Sequence, residues 1–442
     1  MQKQLLLTVL AICMAMFTLT AQVTPTVFAE GFTTGLIGLN FDADGNLWAT
    51  QHGSGNDDGS IIIVDSAGNK TTFMTGLPST YIQAAGEVVG SFRTYQLPDN
   101  KVLIVVGEGS HALSEALLIV DKTDFTPGTP LTLADVVQTI KLGDFIHAQG
   151  FIQSDPFNVD WDAEGNLYIA DAGANSIVKR DKDTGELSIV KTLTGIPNPL
   201  PFGPPVIDPV PTKVLAKEDG DFLVCQLTGF PFLVGAAKVF NLDTAGNLSV
   251  HAEGFSCLTD MSYDPKDDNL CVMQFGIFGP VDSTLNFIIG TASVIKIMPD
   301  GSQVPVAQGI GGLAPTFTFD ANGDLYVADI VFGQILKYSF TTAVNAPHVE
   351  TPKVKSYPNP FSEQITIEYE IAQSAQVSVE IFDLTGRRMA SFDQGKQAAG
   401  TYSFNWNAND ASGQKAAPGL YIYRLSVDKQ LISGAMNLTG KK

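Results

Sequence analysis

One arrangement of apolar and polar positions recurs along the chain: an apolar run, an Asp-x-x-Gly turn and a second apolar run. It is clearest as FDADGNLWATQ (41–51), WDAEGNLYIAD (161–171) and FDANGDLYVAD (319–329). Looser copies, YQLPDNKVLIVV (95–106), AKEDGDFLVCQ (216–226) and YDPKDDNLCVMQ (263–274), keep the same order. With Leu47, Val102, Leu167, Phe222, Leu270 and Leu325 as equivalent anchors, the steps are 55, 65, 55, 48 and 55 residues, which makes six repeats. A further hairpin pattern follows each anchor phrase, such as SIIIVDSAGNKTTFM (60–74), so each repeat predicts four strands. Six four-stranded sheets set radially make a six-bladed β-propeller, which buries a core between blades and leaves short edges.

The ends of the repeat array predict how it closes. The last repeat stops at ILKYSF (335–340) with three strands, whereas VTPTVFAEGF (23–32) resembles the fourth-strand segment LSVHAEGF (248–255). The N-terminal strand is therefore expected to complete the last blade. The longest step contains 131–153, an insertion expected to hold a short helix.

Beyond residue 342 the pattern changes. Residues 343–356 carry two prolines and no apolar period, as a linker would. After it come about seven short alternating strands with turns at Gly386, Gly400, Gly413 and Gly419, which predict an Ig-like β-sandwich over 357–442. The expected fold class is all-β: a propeller over 22–342 and a sandwich after it. Charge draws the same boundary, since residues 22–349 hold 15 basic and 37 acidic side chains while 350–442 hold 10 and 9.

A net charge of −20 over 442 residues argues against nucleic acid or an anionic membrane as partner. At the start, Lys3 precedes an apolar run ending at Thr20-Ala21-Gln22, the layout of a secretory signal peptide spanning 1–21. No later stretch is apolar enough to span a bilayer, so a secreted or cell-surface location is expected. Three cysteines then remain, Cys225, Cys257 and Cys271, all in apolar settings. Buried thiols are the simplest reading, with one pair left open.

Two resemblances rest on named residues. The tail, with Tyr357-Pro358-Asn359-Pro360-Phe361, FDLTGRR (382–388), AGTYSFNW (399–406) and DASGQKAAPGLYIYRL (410–425), resembles the C-terminal sorting domain of type IX secretion cargo in Bacteroidetes. That resemblance implies the type IX machinery as a partner of 357–442 and export across the outer membrane. The repeats resemble the ScyD/ScyE family within the NHL and gluconolactonase-like six-bladed group, through DPFNV (155–159), ADAGANSI (170–177), VPT (210–212) and QLTGFPFLVGAAKVF (226–240). It implies a fold and no transferable activity.

In a propeller, loops after the second strand and before the first share one face around the channel mouth. The second-strand ends and their loops supply Gln51, Asp171, Asn175, Gln226, Gln274 and Asp329, a polar collar that could hold a glycan, a peptide, a small molecule or a hydrated cation. His52 and His111 occupy equivalent loops and are the acid/base candidates. Gluconolactonase-like enzymes hold a divalent ion with Glu, Asn and Asp at inner-strand starts, and the matching positions here are Glu87, Asn158 and Asp260, for calcium or zinc. The Asp-x-x-Gly phrases lack the twelfth-position Glu of a calcium loop and fit turns for backbone reasons. A binding module, a metal-dependent lactonase or lyase, and a structural surface protein are the three readings.

Overall fold

The computed structural model describes residues 24–442 apart from 34, 84–85, 282–283, 341–353, 384–387, 429 and 440–442. The expected signal peptide and most of the expected linker lie outside the described residues. Six large antiparallel sheets follow one another along the first unit, five of four strands and one of five, and two two-stranded hairpins, Ile196–Pro197 with Val206–Ile207 and Ile277–Val281 with Thr284–Ile288, stand in the connecting segments 194–210 and 275–291. The first sheet runs Leu36–Phe41, Leu47–Gln51, Gly59–Val64, Lys70–Leu77 in order from one edge to the other. The third (Pro156–Trp161, Leu167–Asp171, Ser176–Arg180, Leu187–Thr192) and fourth (Pro211–Ala216, Phe222–Gln226, Ala237–Leu242, Leu248–Phe255) repeat that order. In the second, Ser79–Ile82 adds a fifth strand beside Glu87–Leu97.

The last sheet takes its outer strand from the N-terminus. Thr26–Glu30 pairs antiparallel with Gln334–Tyr338, with Thr26 opposite Lys337 and Glu30 opposite Gln334. Residues some three hundred apart thus share one hydrogen-bond ladder. The insertion carries the short helix Leu142–Ala148.

Packing explains why most second strands read as continuous apolar runs rather than alternating ones. In Lys101–Val106, Val102, Ile104 and Val106 face Trp48, Ile61 and Phe73 of the first sheet. The intervening Leu103 and Val105 face Val159 and Ile169 of the third. A strand buried on both faces has no polar side to show. The same sandwiching joins third to fourth sheet through Ile177 and Val224, fourth to fifth through Val239 and Met261, and fifth to sixth through Val294 and Val327. Tyr326 and Ile335 of the sixth then pack on Leu36 and Leu47 of the first, so the series returns to its start.

The repeated turn has one physical cause. The carboxylate of Asp42 accepts from the backbone N–H of Asp44 and Asn46, at 3.0 and 2.8 Å, and Asp162, Asp243 and Asp320 repeat the contact to the residue four further on. Asp thereby replaces the missing ladder partner at the hairpin, and Gly45 takes the left-handed φ of 82° that the turn needs. Cys225, Cys257 and Cys271 are free and buried, and desolvation pushes each thiol up to about 12.

The second unit is a sandwich of two antiparallel sheets. Val354–Tyr357, Ile365–Ile371 and Gly400–Trp406 form one, and Arg388–Gln397, Ala375–Asp383, Gly419–Val427 and Gln430–Leu438 the other. Ile365, Ile367 and Tyr369 meet Val377, Val379 and Leu425 between them. Arg424 joins the units: it donates to Gln334 Oε1 at 2.7 Å, pairs with Glu380, and lies over the rings of Phe332 and Phe382.

Candidate functional site

First strands of the sheets open with a register shift, at Leu36/Gly38, Ser91/Arg93, Pro156/Asn158, Pro211/Lys213 and Leu258/Asp260. Each bulge re-aims one side chain at the same level. The equivalent positions are Gly38, Arg93, Asn158, Lys213, Asp260 and Thr316, the last placed by its carbonyl accepting from Ala328 N–H. Gly38 is required because a Cβ there would lie 2.3 Å from Phe92 O.

Asp260 is the hub of this level. Lys213 Nζ approaches it at 2.9 Å, the Arg93 guanidinium at 3.4 Å, and Thr316 Oγ1 donates at 2.5 Å. Arg93 also donates to the carbonyls of Ile37 and Phe92 and lies over Phe157. Burial alone would push the Asp260 carboxyl up, but Lys213, Arg93 and the Thr316 hydrogen bond outweigh it and hold it below the usual range. Burial likewise works against the Lys213 charge, and Asp260 and Tyr95 together more than offset it.

Of the three positions that the gluconolactonase resemblance implies as metal ligands, Asp260 thus has its oxygens taken by two cations and a hydroxyl. A divalent ion there would compete with Lys213 and Arg93. Asn158 is fully buried with neither amide atom partnered. Glu87 stands at the exposed start of its strand, its carboxyl raised by desolvation. Among the described residues, no three His, Cys, Asp or Glu side chains are grouped to hold a metal ion.

Four of the six collar residues are engaged by their own or neighbouring loops and strands. Asp171 accepts from Ser154 Oγ and Asp155 N–H, both at 2.7 Å, and from Ala174 N–H at 2.9 Å. Asn175 Oδ1 accepts from Val210 N–H, and Gln274 spans Ser256 N–H and Ser293 Oγ. Asp329 accepts from Val331 and Phe332 N–H, and burial raises its carboxyl to about 6. Gln51 is buried, and Gln226 is buried with its Oε1 unpartnered.

The two histidines are also tied locally. His52 N–H donates to Gly35 O, its ring lies where a Gly35 Cβ would be, and its Nδ1 is buried without a partner. Desolvation lowers its pKa to about 4 against a small opposing pull from Asp58, so the ring is neutral at pH 7. His111 Nδ1 accepts from Leu113 N–H within the same turn.

Two groupings at this end of the sheets were not foreseen from sequence. The first is acidic: desolvation is the largest cause raising the carboxyls of Glu87, Glu108, Asp155 and Asp171; Glu87 and Glu115 add to it at Glu108, Glu108 with Asp171 and Glu87 at Asp155, and Glu115 at Asp171. Beside it, Glu115 meets His147 Nε2 at 2.8 Å, and His147 is raised by its contacts to Phe151 O and Glu115. The second is aromatic. Phe230 and Phe232 from the loop 227–236, Phe275, Phe278 and Phe287 from 275–291, and Phe202 from 194–210 form one edge-to-face network, with neighbouring ring centroids 4.9–6.2 Å apart. Phe202 and Phe230 are each 41% exposed, and Val234 beside Phe230 in sequence is 62% exposed. A periodic signal for the buried level did exist: Gly38, Arg93, Asn158, Lys213 and Thr316 each precede their anchor by nine residues, and Asp260 by ten.

No match was found among curated proteins. Distant structural likenesses include a Bacteroides thetaiotaomicron protein of unknown function, 15% identical with a TM-score of 0.47, covering 72% of this chain and 76% of that one. Virginiamycin B lyase from Staphylococcus aureus is 14% identical with a TM-score of 0.40, covering 78% and 94%. PorZ, a surface component of the type-IX secretion system of Porphyromonas gingivalis, is 16% identical with a TM-score of 0.38; the match covers 91% of this chain and 59% of PorZ. One family matches part of the sequence: residues 361–430 are similar to the FlgD Ig-like domain, in agreement with the two-sheet sandwich found there.

Proposed function

We propose that the chain is an exported six-bladed β-propeller acting as a binding or recognition module at the cell surface or outside the cell. Its Ig-like tail would serve delivery through the type IX machinery. Six sheets in a series that returns to its start, with an N-terminal strand closing the last, support the propeller. The signal-peptide layout and the tail motifs in the sequence support the address.

The observation that carries the binding role is the partly exposed phenylalanine network. Titratable groups at that end are mostly engaged in capping loops, whereas the rings are left facing solvent. An apolar patch on so acidic a chain is a recognition surface before it is anything else. A second reading, a divalent-metal lactonase or lyase with Glu87, Asn158 and Asp260 as ligands and His52 or His111 as acid/base, is favoured by the unpartnered amide of Asn158. The collar residues Gln51, Asp171, Asn175, Gln226, Gln274 and Asp329 would then act as the wall of the site.

Thermal unfolding of the intact chain against arrays of glycans, peptides and neutral aromatic molecules tests the first reading. At least one class should raise Tm saturably, by the mass-action effect of a ligand that binds only the native state. Turnover of lactones that stops on chelation would replace it with the second. Export unchanged by deletion of 357–442 would remove the assigned role of the tail.

A further inference from the structure

We infer that the described parts of the loops 194–210, 227–236 and 275–291, through Phe202, Phe230, Phe232, Phe278 and Phe287, form a site for a neutral aromatic small molecule carrying a hydroxyl or N–H donor. The inference rests on the binding-module reading and names its ligand class. Three independent observations converge on these loops.

The first is the exposed part of the ring network, Phe202 and Phe230, backed by Phe232 and Phe278 at 5–6 Å centroid spacing. The chain's own second unit does not cover it, since that unit docks at Phe332. The second is polar. Gln226 Oε1 and Thr228 Oγ1, at 4% and 0% residue exposure, open the same loop and have no hydrogen-bond partner. Buried polar atoms are otherwise nearly always paired, so two orphans at the start of the loop that carries Phe230 and Phe232 point to a donor that arrives with a ligand.

The third is backbone strain. Among the described residues, those with β-branched or aromatic side chains and positive φ are Val210, Thr228 and Phe232, at 49°, 70° and 55°, all in these loops. Such conformations persist only where surrounding structure holds them, and they gather at ligand clamps. Here the clamp is a ladder: Leu227, Thr228 and Gly229 N–H donate to the carbonyls of Val210, Pro209 and Asp208.

Composition decides the ligand class. Across the three loops the charged residues are Asp208 and Asp282, with no Lys, Arg, His, Tyr or Trp. A sugar needs several directional partners at its ring edge, and the amides of these loops already serve their own turns: Asn198 contacts Phe202 O, Pro204 O and Leu200 N–H, and Asn286 Oδ1 accepts from Phe287 N–H. An exposed edge-to-face phenyl cluster, together with two unpartnered buried acceptors in and beside the same loop, suits an aromatic ring bearing a single donor.

The test uses N-phenyl-1-naphthylamine, a neutral fluorescent probe with one N–H, titrated into the intact chain. Saturable binding is expected, weakened about tenfold by the double substitution Phe202→Ser, Phe230→Ser, whose exposed positions leave Tm unchanged. Ile152→Ser, at an isolated exposed position, should bind as the parent does. Thr228→Val keeps shape and removes the hydroxyl, so it should weaken this probe by several-fold and leave 1-phenylnaphthalene, which lacks the N–H, unaffected. Unsaturable binding, or equal affinity in the double variant, overturns the site. An array ligand whose binding survives the double variant also overturns it while leaving the binding-module reading intact; no binding by any class ends both.

Discussion

At the loop-bearing end of the sheets, two sectors stand on the same scaffold with opposite chemistry. The sector over the second and third sheets gathers Glu87, Glu108, Asp155 and Asp171, whose carboxyls are raised mainly by desolvation and, at Glu108 and Asp155, further by acidic neighbours. Over the fourth and fifth sheets stands a cluster of phenylalanines. Strand geometry beneath the two is the same, including the bulge that opens each first strand. What differs is loop composition, so the first sector stores pH-dependent free energy and the second stores apolar surface and backbone strain.

Both sectors share a floor, the Asp260 hub, and breaking it should have the largest effect. Asp260→Ala leaves Lys213 and Arg93 buried without their counter-charge and should cost about 3–5 kcal/mol, read as a lower urea midpoint. Because the folded carboxyl is held below its unfolded value, this contribution is present above about pH 4 and lost as pH falls further. A midpoint shift below about 1 kcal/mol would show that the cations are solvated and that no common floor exists.

Asp155→Asn should separate the sectors. Its folded carboxyl is raised, so the stability it contributes is present below the unfolded value and lost as pH rises through the folded one. The variant keeps an acceptor for Glu108 N–H and removes the charge, so its Tm should exceed the parent's by a few degrees at pH 7.5. That gap should close toward pH 4. A gap independent of pH would mean that the acidic sector is not electrostatically strained.

The smallest effect belongs to the aromatic sector. Thr228→Gly relieves a positive φ at a β-branched residue and should raise stability by about 0.5–1 kcal/mol at every pH between 5 and 8. Destabilisation, or a gain that varies with pH, would break the contrast between a strained loop and a charged one.

Legibility divided along physical lines. The Asp-x-x-Gly phrase marked the anchor hairpins of the first, third and sixth sheets because the carboxylate that makes the turn lies within four residues of its partners. The closing strand was legible because 23–32 copies a fourth-strand pattern, and the apolar pairing of Thr26–Glu30 with Gln334–Tyr338 needs only that pattern. Gln51, Asp171, Gln226, Gln274 and Asp329 each end a strand, but the direction of their side chains was not legible. Whether Asp171 faces the channel or its own loop depends on where Ser154 and Asp155 lie, and those sit across a register shift.

Local sequence therefore determined most strands and their order in the four-stranded sheets, the turns, and the offset of nine or ten residues between the buried level and its anchor; the fifth strand Ser79–Ile82 of the second sheet was not legible. Tertiary structure alone decided the partners. Arg93 and Asp260 meet across 167 positions because ring closure sets their strands at one level. Phe202, Phe230 and Phe278 meet because three loops of different lengths end at one place. Short-range hydrogen bonding and burial periodicity are written in neighbouring residues; charge pairing and aromatic clustering depend on distances that exist only once the ring is closed.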